Sequence, residues 1–152
     1  MLHYDQEAIA RFCADHRAAI TGLFRQAYAA VGGHYAPLPP GALALEAEID
    51  TQAFVTDLAR GGVDVAAVRQ AVLRAATDDV PDDLSHLAAT VERLFCDFVE
   101  AQMARHPDLA RELCRRCSNV MARRRAVVAA TQMDLVLRRF LPAPTLPPPP
   151  PA

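Results

Sequence analysis

Three groups of residues have the types and spacings of chemistry. Cys114 and Cys117 form a C-x-x-C around Arg115-Arg116, the spacing at which two thiolates share a metal ion. The run Asp78-Asp79-Val80-Pro81-Asp82-Asp83 concentrates carboxylates that suit a hard cation such as magnesium. His16 lies on an apolar stripe with Phe12, and a second stripe carries Phe95 and Phe98; Phe12, His16, Phe95 and Phe98 have the composition of a pocket for a small molecule or a haem.

Each group also has a simpler reading. The C-x-x-C falls inside a long helical pattern with no second pair and no H-x3-H to complete four ligands, so its cysteines read as small core residues one turn apart. The aspartate run is similar to the motif by which helical isoprenoid synthases hold magnesium diphosphate. Here, however, Pro81 breaks the helix that would align the carboxylates and no second cluster exists. The run reads as a solvated loop whose later aspartates cap the next helix. Of the five histidines, His3, His34, His86 and His106 fall in the terminus, a proline loop, a first helical turn and a helix junction. Only His16 points along an apolar face, and it does so in the first helix, where no proximal haem ligand is expected. G-x-S-x-G, G-x-x-x-x-G-K, G-x-G-x-x-G and H-E-x-x-H are all absent, and no nucleophile and base can be paired. The expectation is a non-enzymatic protein without metal or cofactor.

The elements that position these residues come from a chain of 152 residues, 52% hydrophobic and 22% charged, the composition of one globular domain with a real core. No apolar run reaches membrane-spanning length, and Asp5, Glu7 and Asp15 occupy the start where a signal peptide is basic then apolar. A soluble, cytoplasmic protein with reduced Cys13, Cys96, Cys114 and Cys117 is expected. Charge is divided along the chain: seven Arg face fifteen acids in residues 1–104, and nine Arg face three acids in residues 105–152. With a pI near 6.2, the basic last helix reads as neutralised within the molecule and not as a nucleic-acid site.

Periodicity predicts about five helices. The first runs from Gln6 to Val31, with Ile9, Phe12, Cys13, His16, Ile20, Leu23, Phe24, Ala27 and Val31 on one stripe and Gly32-Gly33 as its stop. A connector with Pro37, Pro39 and Pro40 follows. The second helix spans about Ala42 to Arg60, burying Leu43, Ala47, Phe54, Val55 and Leu58, with a break at Asp50 as an alternative and Gly61-Gly62 as its end. A short third helix, about Val65 to Thr77, is capped by Asp64 and offers Val65, Val68, Val72 and Ala76. The fourth begins beyond Pro81 and carries the strongest stripe, from Leu84 through Leu87, Val91, Leu94, Phe95, Phe98 and Val99 to Met103.

The fifth helix, from Pro107 to about Leu141, is about three times the usual globular length of 11–12 residues. Its first half has a seam at Leu113, Cys117, Val120 and Arg124. Its second half has a heptad at Ala126, Ala130, Met133, Leu137 and Phe140, one residue out of the first register, so the buried face is expected to rotate near Arg123-Arg124-Arg125. With Val127, Val128, Leu135, Val136 and Leu141 adding apolar girth, this end calls for two partners, the chain's own bundle and a second copy. Beyond it, seven of the last eleven residues are proline, a polyproline spacer in residues 142–152 after a helical domain in 1–141.

Ala10-Arg11-Phe12, the Leu23-Phe24 to Tyr28 end of the first helix, Phe54-Val55-Thr56-Asp57-Leu58, Val80-Pro81-Asp82-Asp83-Leu84 and the long Arg-rich last helix together resemble the helical N-terminal sensor domains of stressosome-type sigma-factor regulators. The resemblance covers about residues 5–141, with Asp79 where a small residue is expected. It implies a globin-like fold without haem, a homodimer, and transmission through the exit helix to a downstream STAS-type domain or other signalling partner. The reading of the chain is therefore an all-α globin-like or bundle domain with a long C-terminal helix, acting as a sensor. The alternative is a helical protein that binds a small molecule or haem around Phe12, His16, Phe95 and Phe98.

Overall fold

A computed structural model describes residues 6–75, 83–141 and 147–151. It is an all-α bundle with a long C-terminal helix, and no strand occurs among the described residues. Six α-helices succeed one another among the described residues: α1 (Gln6–Asp15), α2 (Arg17–Val31), α3 (Pro40–Arg60), α4 (Val65–Ala75), α5 (Asp83–Gln102) and α6 (Pro107–Phe140), with a 3-10 turn at Gly33–Tyr35 between α2 and α3. Among the described residues no helix is long and apolar enough to cross a membrane.

The first expected helix is two. His16 leaves the helical region at φ −113°, ψ 17°, although the hydrogen bonds from His16 N–H to Phe12 O and from Ile20 N–H to His16 O continue through the bend. The physical cause is packing on both sides of the joint. The imidazole is wedged between Phe12 and Phe98, at ring-centroid distances of 4.5 and 5.6 Å, while Thr21 Oγ1 donates to Arg17 O and loosens the next turn. The bend lets α1 lie on α3 while α2 packs between α3 and α5.

Elsewhere the caps act as the residue types require. Asp64 Oδ1 accepts Ala67 N–H at 3.0 Å at the start of α4. Gly61 takes the left-handed conformation that ends α3, and both Gly61 and Gly62 N–H donate to Asp57 O. Asp50 does not break α3, which runs unbroken through it. Gly33, at φ +48°, has a second constraint: a Cβ there would meet the Asp83 carboxylate at 2.6 Å, and that carboxylate accepts His34 N–H at 2.8 Å, tying the 3-10 turn to the start of α5.

The core is centred on three phenylalanines from three helices. Phe24 meets Phe54 edge-to-face at 5.8 Å, and Phe54 meets Phe95 at 5.1 Å, geometry that adds about 0.5–1.5 kcal/mol per pair beyond burial. Around them pack Ile9, Ile20, Leu58, Val91, Val99 and Leu113, all essentially inaccessible. Helices α5 and α6 form the most extensive pair, and α4 lies mainly on α6. Val72 is the buried anchor of α4, whereas Val65, expected on the same seam, is exposed. Ala76, Asp78 to Asp82, Pro142, Pro144 and the other residues of 142–146 lie outside the described residues. Pro147 to Pro151 are exposed and without regular structure.

The face of α6 that packs on the body does not rotate. From Leu113 it continues through Cys117, Val120 and Met121 to Val128 and Thr131, with half-buried Arg124 and Leu135 in the same line. The expected shift of register does not occur on this side because Arg124 stays on the seam through an ion pair, and Thr131 satisfies its hydroxyl within the helix by donating to Val127 O. The heptad Ala126, Ala130, Met133, Leu137 and Phe140 is a second face, exposed along its whole length; Met133 is 58% and Phe140 80% accessible.

Candidate functional site

Phe12, His16 and Phe98 pack against one another, while Phe95 points into the core against Phe54. Four cavities of about 320 to 580 Å³ lie elsewhere, and none is lined by any of these residues. His16 is packed between the rings of Phe12 and Phe98. Among the described residues no group of three or more His, Cys, Asp or Glu side chains is placed to hold a metal ion.

The charged residues of the bundle gather instead beneath α4. One cavity of about 320 Å³ has an apolar wall from Phe24, Leu84, Leu87, Val91 and Val128, and a polar wall from His34, Tyr35, Glu46, Asp50, Arg74 and Arg124. A second, of about 580 Å³, lies on the other side of Asp50 and shares Val68, Ala71, Arg74 and Arg124 with the first. Helix α4 therefore roofs both, α3 supplies the carboxylates, and α6 closes them with Arg124.

The arrangement follows from the helical register of α3. Asp50, Asp57 and the buried Phe54 are three or four residues apart, so the carboxylates share the face that meets the core. Asp57, only 5% accessible at its side chain, accepts Arg124 Nη2 at 2.9 Å and Arg60 Nη2 at 3.2 Å. Its backbone carbonyl meanwhile accepts Gly61 and Gly62 N–H, so Asp57 joins the end of α3 to the middle of α6. Two turns earlier on α6, Arg116 donates to Leu58 O and Ala59 O, the open carbonyls at the end of α3, and is oriented by Glu112 at 2.9 Å. Its two arginine partners hold Glu112 down to about 2. Arg125 reaches Glu92 of α5 at 3.4 Å, so much of the positive charge of α6 is met within the molecule.

Asp50 has a different environment. Burial pushes its carboxyl up to about 6, and nearby Glu46 adds to the rise. The hydrogen bond donated by Tyr28 and the charges of Arg124 and Arg74 act in the opposite sense. Tyr28 and Tyr35 stack at 4.6 Å, and burial together with the Asp50 charge keeps both phenols protonated. Arg124 Nε, buried at the junction of the two cavities, has no hydrogen-bond partner in the protein. A buried donor left so costs about 1–3 kcal/mol, which an acceptor atom on a molecule in the cavity would recover. The site can thus bind: it offers an apolar wall, a cationic pair and a carboxyl that changes state near pH 6.

Sequence reasoning passed over this site. Arg124 on an otherwise apolar seam was its one signal, because a charge at a seam position requires a buried counter-charge, and Asp57 stands beside Leu58 on the matching stripe of α3. The heptad residues Ala126, Ala130, Met133, Leu137 and Phe140 are all exposed among the described residues. No protein family, no curated protein and no solved structure matches the chain.

Proposed function

We propose that the chain is a non-enzymatic signalling input domain in which a small molecule in the cavity beneath α4 biases the position of α6. In this reading α6 carries the change to a second copy of the chain and on to a downstream STAS-type or other signalling partner. The observation that carries it is the reach of one unbroken helix. Over 34 residues α6 spans from the α3 clasp at Arg116 and Arg124, through the cavity wall at Val128, to an end where Met133, Val136, Leu137, Phe140 and Leu141 are all exposed. An apolar end of this kind favours a partner, and a ligand that contacts Arg124 and Val128 differs in its contacts whenever α6 shifts. Residues Ala126, Ala130, Met133, Leu137 and Phe140 form the dimer face, in line with the resemblance to cytoplasmic stressosome-type sensor domains. Their exposure on a single chain supports that role.

The test is a truncation after Gln132, which removes Met133, Leu137 and Phe140 but keeps the buried Val128 and Thr131. The expected product is a monomer with the cooperative melting of the full chain. A truncated chain that still associates as the full chain does would overturn the reading.

A second reading, a ligand-binding helical protein without transmission, draws on the unpartnered Arg124 Nε and the cavity beside it. It shares the ligand site and differs only in leaving the exposed end of α6 without a second copy, so the solution mass of the full chain, dimer or monomer, separates the two.

A further inference from the structure

The cavity beneath α4 carries its own balance of charge. Two cations, Arg74 and Arg124, and two carboxylates, Glu46 and Asp50, stand in its polar wall. Arg124 is matched within the protein, since its Nη2 donates to the Asp57 carboxylate at 2.9 Å with both side chains largely out of water. Asp50 is engaged on one side only: Tyr28 donates to its Oδ2, and Oδ1 is the oxygen left to accept from another molecule. We infer that the cavity takes an uncharged molecule with an apolar body and an amide head, whose carbonyl accepts the Arg124 Nε–H and whose N–H donates to Asp50. This rests on the ligand site of the reading above and names the class of compound that fills it.

The cavity fixes both ends of such a molecule. Arg124 Nε is the one buried side-chain donor or acceptor without a hydrogen-bond partner among the described residues, so the head must bring an acceptor. Arg124 and Asp50 line both cavities, which places the head where the two meet. From there the first cavity continues along Phe24, Leu84, Leu87, Val91 and Val128, an apolar wall that receives the body. The second cavity leads instead past Arg17, Glu48, Arg60 and Asp64, which suit water and not hydrocarbon. At about 320 Å³ the first cavity lies at the small end of the roughly 300–1,000 Å³ of small-molecule sites, the size for one compact ligand.

Charge selects among heads of the same size. A carboxylate would answer the Arg124 Nε–H but would stand against Glu46 and Asp50, with Asp57 behind Arg124. An ammonium would suit Asp50 but would stand against Arg74 and Arg124 and leave the Nε–H without an acceptor. Either ion enters a wall whose charges are already answered by one another, and a charge taken out of water without a counter-charge is costly. An amide supplies the acceptor and the donor together and adds no charge.

The test is a calorimetric titration of the full chain at neutral pH with three compounds that share an eight-carbon chain: octanamide, octanoate and octylammonium. Octanamide is expected to bind roughly tenfold or more tightly than either ion, the scale on which a buried partner left without its hydrogen bond weakens binding. In the nitrogen–proton NMR spectrum its binding moves the Nε–H signal that Arg124→Lys removes. Two variants place it in the cavity. Arg124→Lys keeps a cation for Asp57 and loses the Nε–H, and Ala71→Trp fills the space from α4, whose Ala71 lines both cavities. Each is expected to melt cooperatively and to bind octanamide roughly tenfold or more weakly. Octanoate or octylammonium binding as tightly as octanamide, no binding of octanamide, or an affinity unchanged in either variant would overturn the inference. The solution mass of the full chain decides separately whether α6 joins two copies, so a wrong ligand class and a failure of transmission are told apart.

Discussion

Because burial outweighs the hydrogen bond from Tyr28, the Asp50 carboxyl is held near 6 where the free side chain titrates at 3.8. A raised carboxyl stabilises the fold most below the unfolded value, and that contribution is lost as pH rises through the folded one. Wild type minus Asp50→Asn should therefore lose stability between about pH 4 and pH 6, measured by urea unfolding at a series of pH values. Overlapping pH profiles for the two proteins would contradict the assignment. Glu112 does not confuse the comparison. Its carboxyl is lowered to about 2, so its contribution is present above its ordinary 4.5 and is lost only as pH falls toward 2. At this scale little of the site was legible. The histidine and aromatics that looked like a pocket are packing partners, because rings at helical spacing fill core volume as readily as they line a cavity. Asp50 entered only as an alternative break in its helix, since its Tyr28 partner stands 22 residues away and no local pattern connects the two.

Helix-to-helix attachment in this bundle rests on charge as well as on apolar seams. Asp57 joins α3 to α6 through Arg124, with both side chains largely out of water, while its other partner, Arg60, is half exposed and on its own helix. Removing one member of a buried pair strands the other, at a cost of about 3–5 kcal/mol where burial is complete. Asp57→Ala should fall near the lower end of that range in urea unfolding, and Arg60→Ala should cost well under about 1 kcal/mol, the usual value of an exposed pair. Equal losses in the two variants would mean that the α3–α6 clasp is not the source of the stability. The helices themselves were largely readable from apolar spacing and punctuation, including the stops at Gly32 and Gly61, the Asp64 cap and the full extent of α6. The division at His16 was not, because the hydrogen-bond ladder passes through the bend and its cause is Phe98, 82 positions along the chain. Nor was the constant register of α6, since the spacing that marks two faces does not say which of them meets the body.

As a whole, the molecule is a bundle whose longest helix does three things at successive heights. Its first turns close the end of α3 through Arg116, its middle walls the cavity through Arg124 and Val128, and its last turns project Met133, Leu137 and Phe140 into solvent. Ion pairs tie its middle to α3 and α5, and in the proposed reading a change at the cavity passes along α6 as a shift of the helix. The pairing of cavity and exposed end on one element is the central claim, and it requires a second copy to cover that end. The most direct measurement is the solution mass of the full chain by light scattering after size exclusion over a wide range of concentration. The account predicts twice the 16.5 kDa of the single chain, falling toward 16.5 kDa on dilution. A mass of 16.5 kDa at every concentration would contradict it.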